Sequence, residues 1–106
     1  MKEIVDALKK FRDERDWQQF HNPKDLSVAL SIEAAELLEV FLWKQPEHAD
    51  INKIKEELAD VFAYAFLLAD VCQLDVKEIV MAKIRVNEQK YPVDKSRGSA
   101  KKHDEL

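Results

Sequence analysis

Four carboxylates are the side chains of this sequence best spaced to do chemistry. Glu33 and Glu36 lie in S-V-A-L-S-I-E-A-A-E-L-L-E-V-F-L-W (27–43), and Glu57 and Asp60 open E-L-A-D-V-F-A-Y-A-F-L-L-A (57–69). On a helix, residues three apart sit about 60° apart around the axis and about one turn along it, so each pair shares a face. An ionised carboxylate is costly to remove from water, and neighbouring carboxylates repel. Residues 27–43 are apolar nearly all round and contain no Lys or Arg, so a cation is expected between the acids. An all-oxygen ligand set favours Mg²⁺, with Mn²⁺ possible, and Mg²⁺ keeps waters and recruits substrate phosphates. None of His21, His48 and His103 completes the E-x-x-H spacing of di-iron bundles, and one cysteine cannot build a structural zinc cluster. The competing reading makes these acids ordinary solvated helix residues, or ion-pair partners of Lys and Arg from the first helix. Glu39, one further step of three, is either an additional ligand or a solvated side chain.

The elements that must position these residues are helical. Residues 3–16 carry the stripe Ile4, Val5, Leu8 and Phe11, which ends at Arg15, whose stem can lie over the edge of the core. Trp17 to His21 breaks that pattern. Asn22-Pro23 is a helix start, with Asn as N-cap and Pro in the first turn, and the second helix is expected from Pro23 to Trp43. After Gln45-Pro46-Glu47-His48, a third helix is expected from about Asp50 to Cys72. A fourth follows the cap Asp75 and carries Val76, Ile79, Val80 and Ile84, until Pro92 stops it. Residues 93–106 lack apolar periodicity and read as a flexible tail or an arm that orders over something. The expectation is therefore all-α, a four-helix bundle in one domain over residues 1–92 with a tail at 93–106. Two of the helices are too apolar for a lone bundle of this size, so a homo-oligomer should bury them.

Composition agrees and excludes several classes. The chain has 106 residues, 46% hydrophobic and 36% charged, with one glycine, the balance of a small helical protein. A formal net charge of −4 argues against polymeric nucleic acid as the main partner. No apolar run is long enough and free enough of charge to span a membrane. The N-terminal M-K-E-I-V-D-A-L-K-K-F is unlike a signal peptide. The final His103-Asp104-Glu105-Leu106 has the form of an ER-retention address, but with no entry signal upstream it reads as coincidence. A single Cys72 fits the reducing cytoplasm.

Beyond the acids, a phosphate-bearing ligand would have no glycine-rich cradle, because Gly98 is the only glycine. Phosphates would fall to the metal and to side chains, with Asn87, Lys90, Arg97, Lys101 and Lys102 as candidates. Trp17, Phe20, Trp43 and Tyr64 could stack on a base, and His21 could hydrogen-bond one or simply satisfy a loop. Phe41, Phe62 and Phe66 read as core.

The spacing E-x-x-E, twenty residues, E-x-x-D resembles the signature of the MazG-like, all-α nucleoside triphosphate pyrophosphohydrolases. R-D-W-Q-Q-F-H-N-P (15–23), F-L-W-K (41–44), N-E-Q-K-Y-P (87–92) and S-R-G-S-A (96–100) resemble the dCTP pyrophosphatase branch of that family. The resemblance implies Mg²⁺-dependent cleavage of a deoxynucleoside triphosphate, dCTP or a related pyrimidine nucleotide, to the monophosphate and pyrophosphate. It implies Mg²⁺ at Glu33, Glu36, Glu57 and Asp60. One glutamate should accept the proton of the attacking water, and Glu36, central in the cage, is the expected acceptor, with Glu33 next. It places a base pocket at Trp17, Gln18, Gln19, Phe20, His21, Trp43 and Tyr64, and phosphate contacts at Asn87, Lys90 and Tyr91. It further implies a dimer or a dimer-of-dimers tetramer, and makes H-D-E-L ordinary family tail. Leu8 stands where some relatives have a histidine near the substrate, a departure that bears on base selectivity. Rival readings are a broad-range NTP or phosphoribosyl-ATP pyrophosphatase of the same superfamily, and a non-catalytic helical module using the acids as a docking face.

Overall fold

The computed structural model describes residues 1–105. Leu106, the last letter of the H-D-E-L string, lies outside them. The described residues are all-α, with helices α1 (Lys2–Glu14), α2 (Pro23–Glu39), α3 (Ile51–Val71), α4 (Val76–Lys90) and α5 (Val93–Ser96). They form two compact units, residues 1–74 and 75–105.

Local chemistry starts each of the long helices after the first. Asn22 caps α2 by accepting from the Asp25 amide at 2.9 Å, while its own Nδ2 donates to Asp25 Oδ2 at 2.7 Å. Asp50 and Asp75 cap α3 and α4, each accepting an amide hydrogen bond at 2.9 Å from Asn52 and Glu78. Such caps are worth about 1 kcal/mol each. The ends are less conventional, since helices of this kind usually stop on glycine. In α1 the Trp17 amide reaches back to Arg12 O and the Asp16 amide to Asp13 O, with Asp16 at φ 55°. In α3 the same pattern runs from Leu74 to Ala69 and from Gln73 to Asp70, with Gln73 at φ 57°.

α2 is shorter than the periodicity predicts. It ends at Glu39 rather than Trp43, because the chain tightens: the amides of Val40, Phe41 and Leu42 bond to carbonyls three residues back. Three-residue spacing turns side chains off the α-helical stripe, and Trp43 then enters the left-handed region at φ 60°. The tail contains one short α-helix. Pro92 starts a short helical turn in which the Lys95 and Ser96 amides bond to its carbonyl. Four residues are too few to carry an apolar period.

In the first unit α2 and α3 form a helical hairpin, and α1 packs on α3. Its buried apolar residues are Leu26, Val40, Phe66, Leu67 and Ala69. Lys9 and Arg12 reach Asp70 at 3.8 and 3.9 Å, tying α1 to α3; partly exposed pairs of this kind contribute about 1 kcal/mol or less. Arg15 covers an aromatic edge, its guanidinium 3.6 Å from the centre of the Phe11 ring. An apolar cavity of about 460 Å³ remains between α1 and α3, lined by Ile4, Leu8, Ala59, Phe62, Ala63 and Phe66. Leu8 is thus part of a hydrocarbon wall. Among the described residues, no helix is long and apolar enough to cross a membrane.

Candidate metal centre

The hairpin brings its two acidic pairs to one place. Glu33 and Glu36 lie near the end of α2, and Glu57 lies in the second turn of α3. Residues shortly before and shortly after the connection of an antiparallel pair face each other. Glu33, Glu36 and Glu57 each offer a carboxylate oxygen, and these atoms lie within 4.8 Å of one another. Asp60 is not in that trio. It is exposed and one methylene shorter than glutamate, yet its charge still acts on both Glu33 and Glu57.

Electrostatics shows the cost of this arrangement. Glu33 is pushed from 4.5 to about 7, first by hydrogen bonding to Glu36, then by burial, then by repulsion from Glu36, Asp60 and Glu57. Glu57 is also raised, by burial first and by Glu36 next. Glu33 Oε2 and Glu57 Oε2 are buried with no hydrogen-bond partner. Unpaired buried carboxylate oxygens are expensive, and here they converge from two helices. This donor set fits a hard divalent cation: all oxygen, anionic and preorganised.

A cleft of about 440 Å³ opens beside the acids, lined by Glu36, Glu39, Val40, Lys44, Lys53 and Glu57. Glu39 therefore faces the same space as two members of the trio. From the sequence Lys44 suits the C-terminal dipole of the second helix, and Lys53 does not stand out. Lys53 is in the charged half of α3, and only the hairpin register puts it beside Glu36.

The remaining expected residues fall in four places. Trp17, Gln18, Gln19, Phe20 and His21 form the link between α1 and α2, where Gln18–Phe20 makes a 3-10 turn. Trp17 packs edge-on against Phe11 with ring centres 5.9 Å apart. Gln19 Nε2 is engaged by the Asp16 carbonyl and carboxylate at 2.9 and 3.0 Å. Phe20 is exposed. His21 Nδ1 is buried without a partner, and burial, then the nearby Arg12 charge, lowers its pKa. Trp43 projects into water with 94% of its surface exposed, next to Lys44 of the cleft. Tyr64 is half-buried on α3. Asn87, Lys90 and Tyr91 belong to the second unit, at the end of α4. There Tyr91 meets His103 edge-on at 5.8 Å.

Comparison with known proteins adds an independent line. Residues 28–106 match the model of the MazG-like family. The chain is 40% identical over 104 residues to dCTP pyrophosphatase 1 of Bos taurus, covering 91% of this chain and 62% of that protein. It is 42% identical over 106 residues to dCTP pyrophosphatase 1 of Rattus norvegicus, covering 91% and 61%. The chain thus spans about 62% or less of the length of these curated relatives. The crystal structure of a pyrophosphatase from Archaeoglobus fulgidus superposes with a TM-score of 0.81 at 42% identity, over 87% of this chain and 92% of that one.

Proposed function

This chain belongs to the MazG-like family, and from that premise we propose that it hydrolyses deoxynucleoside triphosphates between the α and β phosphates, with dCTP or a related pyrimidine nucleotide as substrate. The carrying observation is the carboxylate trio with two unpartnered buried oxygens, in a chain about 40% identical to proteins named dCTP pyrophosphatase. Glu33, Glu36 and Glu57 would hold Mg²⁺, with Asp60 completing the set from the next turn of α3. Bound there, Mg²⁺ supplies neutralisation of phosphate oxygens and a polarised water.

The rest falls to the chain's own side chains. Water attacks the α phosphorus, the bond to the bridging oxygen breaks, and pyrophosphate leaves with that oxygen. The proton released by the water goes to a carboxylate oxygen of the Glu33–Glu36 pair, Glu36 being the assigned acceptor. Trp43, exposed beside the cleft, and the aromatic link of Trp17, Phe20 and His21 are assigned to the base. Gln18 and Gln19 offer amides beside it, and Tyr64 a hydroxyl. Asn87, Lys90 and Tyr91 are assigned to phosphate.

A homo-oligomer, dimer or tetramer, is part of the same proposal. Phe62 is 55% exposed and Ile4 48% exposed, an apolar face that a second copy would cover. The lone exposed thiol of Cys72 suits a reducing compartment such as the cytoplasm.

Incubation of the protein with each dNTP and Mg²⁺, followed by product analysis, tests the activity. dCTP should give dCMP and pyrophosphate fastest. Release of inorganic phosphate and a diphosphate would overturn the assigned bond. Glu36→Gln and Asp60→Asn should abolish turnover while circular dichroism and melting report a folded protein. Near wild-type rates in either variant would refute the site assignment.

A further inference from the structure

We propose that Arg12 is a positioning residue for the nucleotide base: held by Asp70 at the end of α3, it fixes the α1–α2 link that carries Trp17 and His21. This rests on the hydrolase reading above, in which that link takes the base.

Arg12 stands in the last turn of α1, where a cation suits the helix dipole. A side chain kept for that reason alone would lie in water. Only 12% of the Arg12 side chain is exposed, against 42% for Lys9 nearly one turn earlier. Its guanidinium is oriented by two carboxylates. Nε donates to Asp13 Oδ1 at 2.8 Å, and Nη1 lies 3.9 Å from Asp70 Oδ2. A largely buried charge is tolerated only where partners of this kind meet it.

The link hangs from the same residue. Arg12 O accepts the amides of Arg15 at 3.2 Å and Trp17 at 3.1 Å. Trp17 O then accepts the Phe20 amide at 2.9 Å, and Gln18 O accepts the His21 amide at 3.1 Å. Short-range bonds thus stiffen the chain all the way from Arg12 to His21. At His21, Nδ1 is buried without a partner, and burial, then the Arg12 charge, disfavours the protonated ring. A neutral imidazole keeps one acceptor nitrogen. Arg12 therefore acts on both ends of the link, on Trp17 through its carbonyl and on His21 through its charge. Its anchor, Asp70, is on α3, the helix that also carries Glu57, Asp60 and Tyr64. The link is thereby registered against the helix that supplies half of the acids, and a site held on a rigid element is held more accurately than one on a free loop.

If Arg12 only tied α1 to α3, losing it would resemble losing Lys9, which pairs with the same Asp70 at 3.8 Å. Arg12→Gln, Asp70→Asn and Lys9→Gln separate the two roles. In dCTP hydrolysis Arg12→Gln should raise KM roughly fivefold to tenfold with kcat little changed, the mark of lost binding rather than lost chemistry. Asp70→Asn, which releases the guanidinium but leaves Arg12 in place, should do the same. Lys9→Gln should leave both constants unchanged, whatever it does to the melting temperature. NMR of the Trp17 indole and His21 imidazole gives a readout that needs no turnover. In Arg12→Gln the indole signal should move and His21 should titrate at higher pH, and in Lys9→Gln neither should change. An unchanged KM in Arg12→Gln overturns the proposal, as does an equal rise in Lys9→Gln. A lower kcat at constant KM also overturns it, because the effect would then lie at the acids. If Arg12→Gln does not fold, Asp70→Asn compared with Lys9→Gln decides by the same criteria. If wild type cleaves no nucleotide, the hydrolase reading fails, and the NMR signals alone decide whether Arg12 fixes the link.

Discussion

At the scale of single residues, the centre is a set of charges held together against their own repulsion. Glu33 carries the clearest mark, a pKa raised from 4.5 to about 7. Between those values the folded protein binds a proton that the unfolded chain has released, so stability must fall as pH rises through the window. His21 acts in the opposite sense: its lowered pKa makes the unfolded chain the better proton binder below about 6.5, so its contribution rises with pH. Glu33→Gln, which mimics the protonated acid, separates the two. In urea unfolding with EDTA present, wild type should lose stability relative to this variant between pH 4.5 and 7.5, with the gap widest at the top. Parallel profiles would show that Glu33 is not strained in the free protein. The acids were legible in the sequence because i,i+3 spacing inside apolar runs is visible in one dimension. The separation of Asp60 from the trio was not, since it depends on side-chain length. That Lys44 and Lys53 share a cleft with the acids was hidden for another reason: their neighbours are set by hairpin register, and no local pattern encodes it.

At the scale of elements, caps were readable and exits were not. Asn22, Asp50 and Asp75 each accept the amide hydrogen bond expected of a cap, because the capping interaction spans only a few residues. The ends of α1, α2 and α3 were hidden because the residues in left-handed conformation there are Asp16, Trp43 and Gln73, not glycines. Trp43 is the extreme case, a bulky side chain in a conformation that costs about 1–2 kcal/mol outside glycine, with 94% of its surface in water. Packing does not explain it. Trp43→Gly should therefore leave the melting temperature unchanged or higher while weakening nucleotide binding at least several-fold. A clear drop in melting temperature would mean that the indole is needed for the turn.

At the scale of the molecule, the outstanding fact is how much apolar surface is left in water. Ile4, Phe11, Val28, Ile32, Leu58 and Phe62 of the first unit are all more than a third exposed, and single scattered hydrophobes would need no explanation. These recur along α1, α2 and α3. The all-α class and the excess of apolar helix surface were both legible from periodicity and composition. What could not be read is which faces stay uncovered, because each helix shows several apolar positions and only packing selects among them. If a second copy covers the α1–α3 face, Phe62→Lys should shift the protein toward monomer in sedimentation and lower its melting temperature. An unchanged sedimentation profile would place the contact on another face.

The exposure of Trp43 has one more consequence. The chain holds two tryptophans, and they differ in environment: Trp17, 45% exposed, packs edge-on against Phe11, whereas Trp43, 94% exposed, stands in solvent next to Lys44 of the cleft. Their emission should separate by wavelength, with the red component belonging to Trp43 and open to collisional quenchers. A base that stacks on that indole would dim and shift only that component, so the protein carries its own optical reporter of cleft occupancy, with Trp43→Phe as the blank.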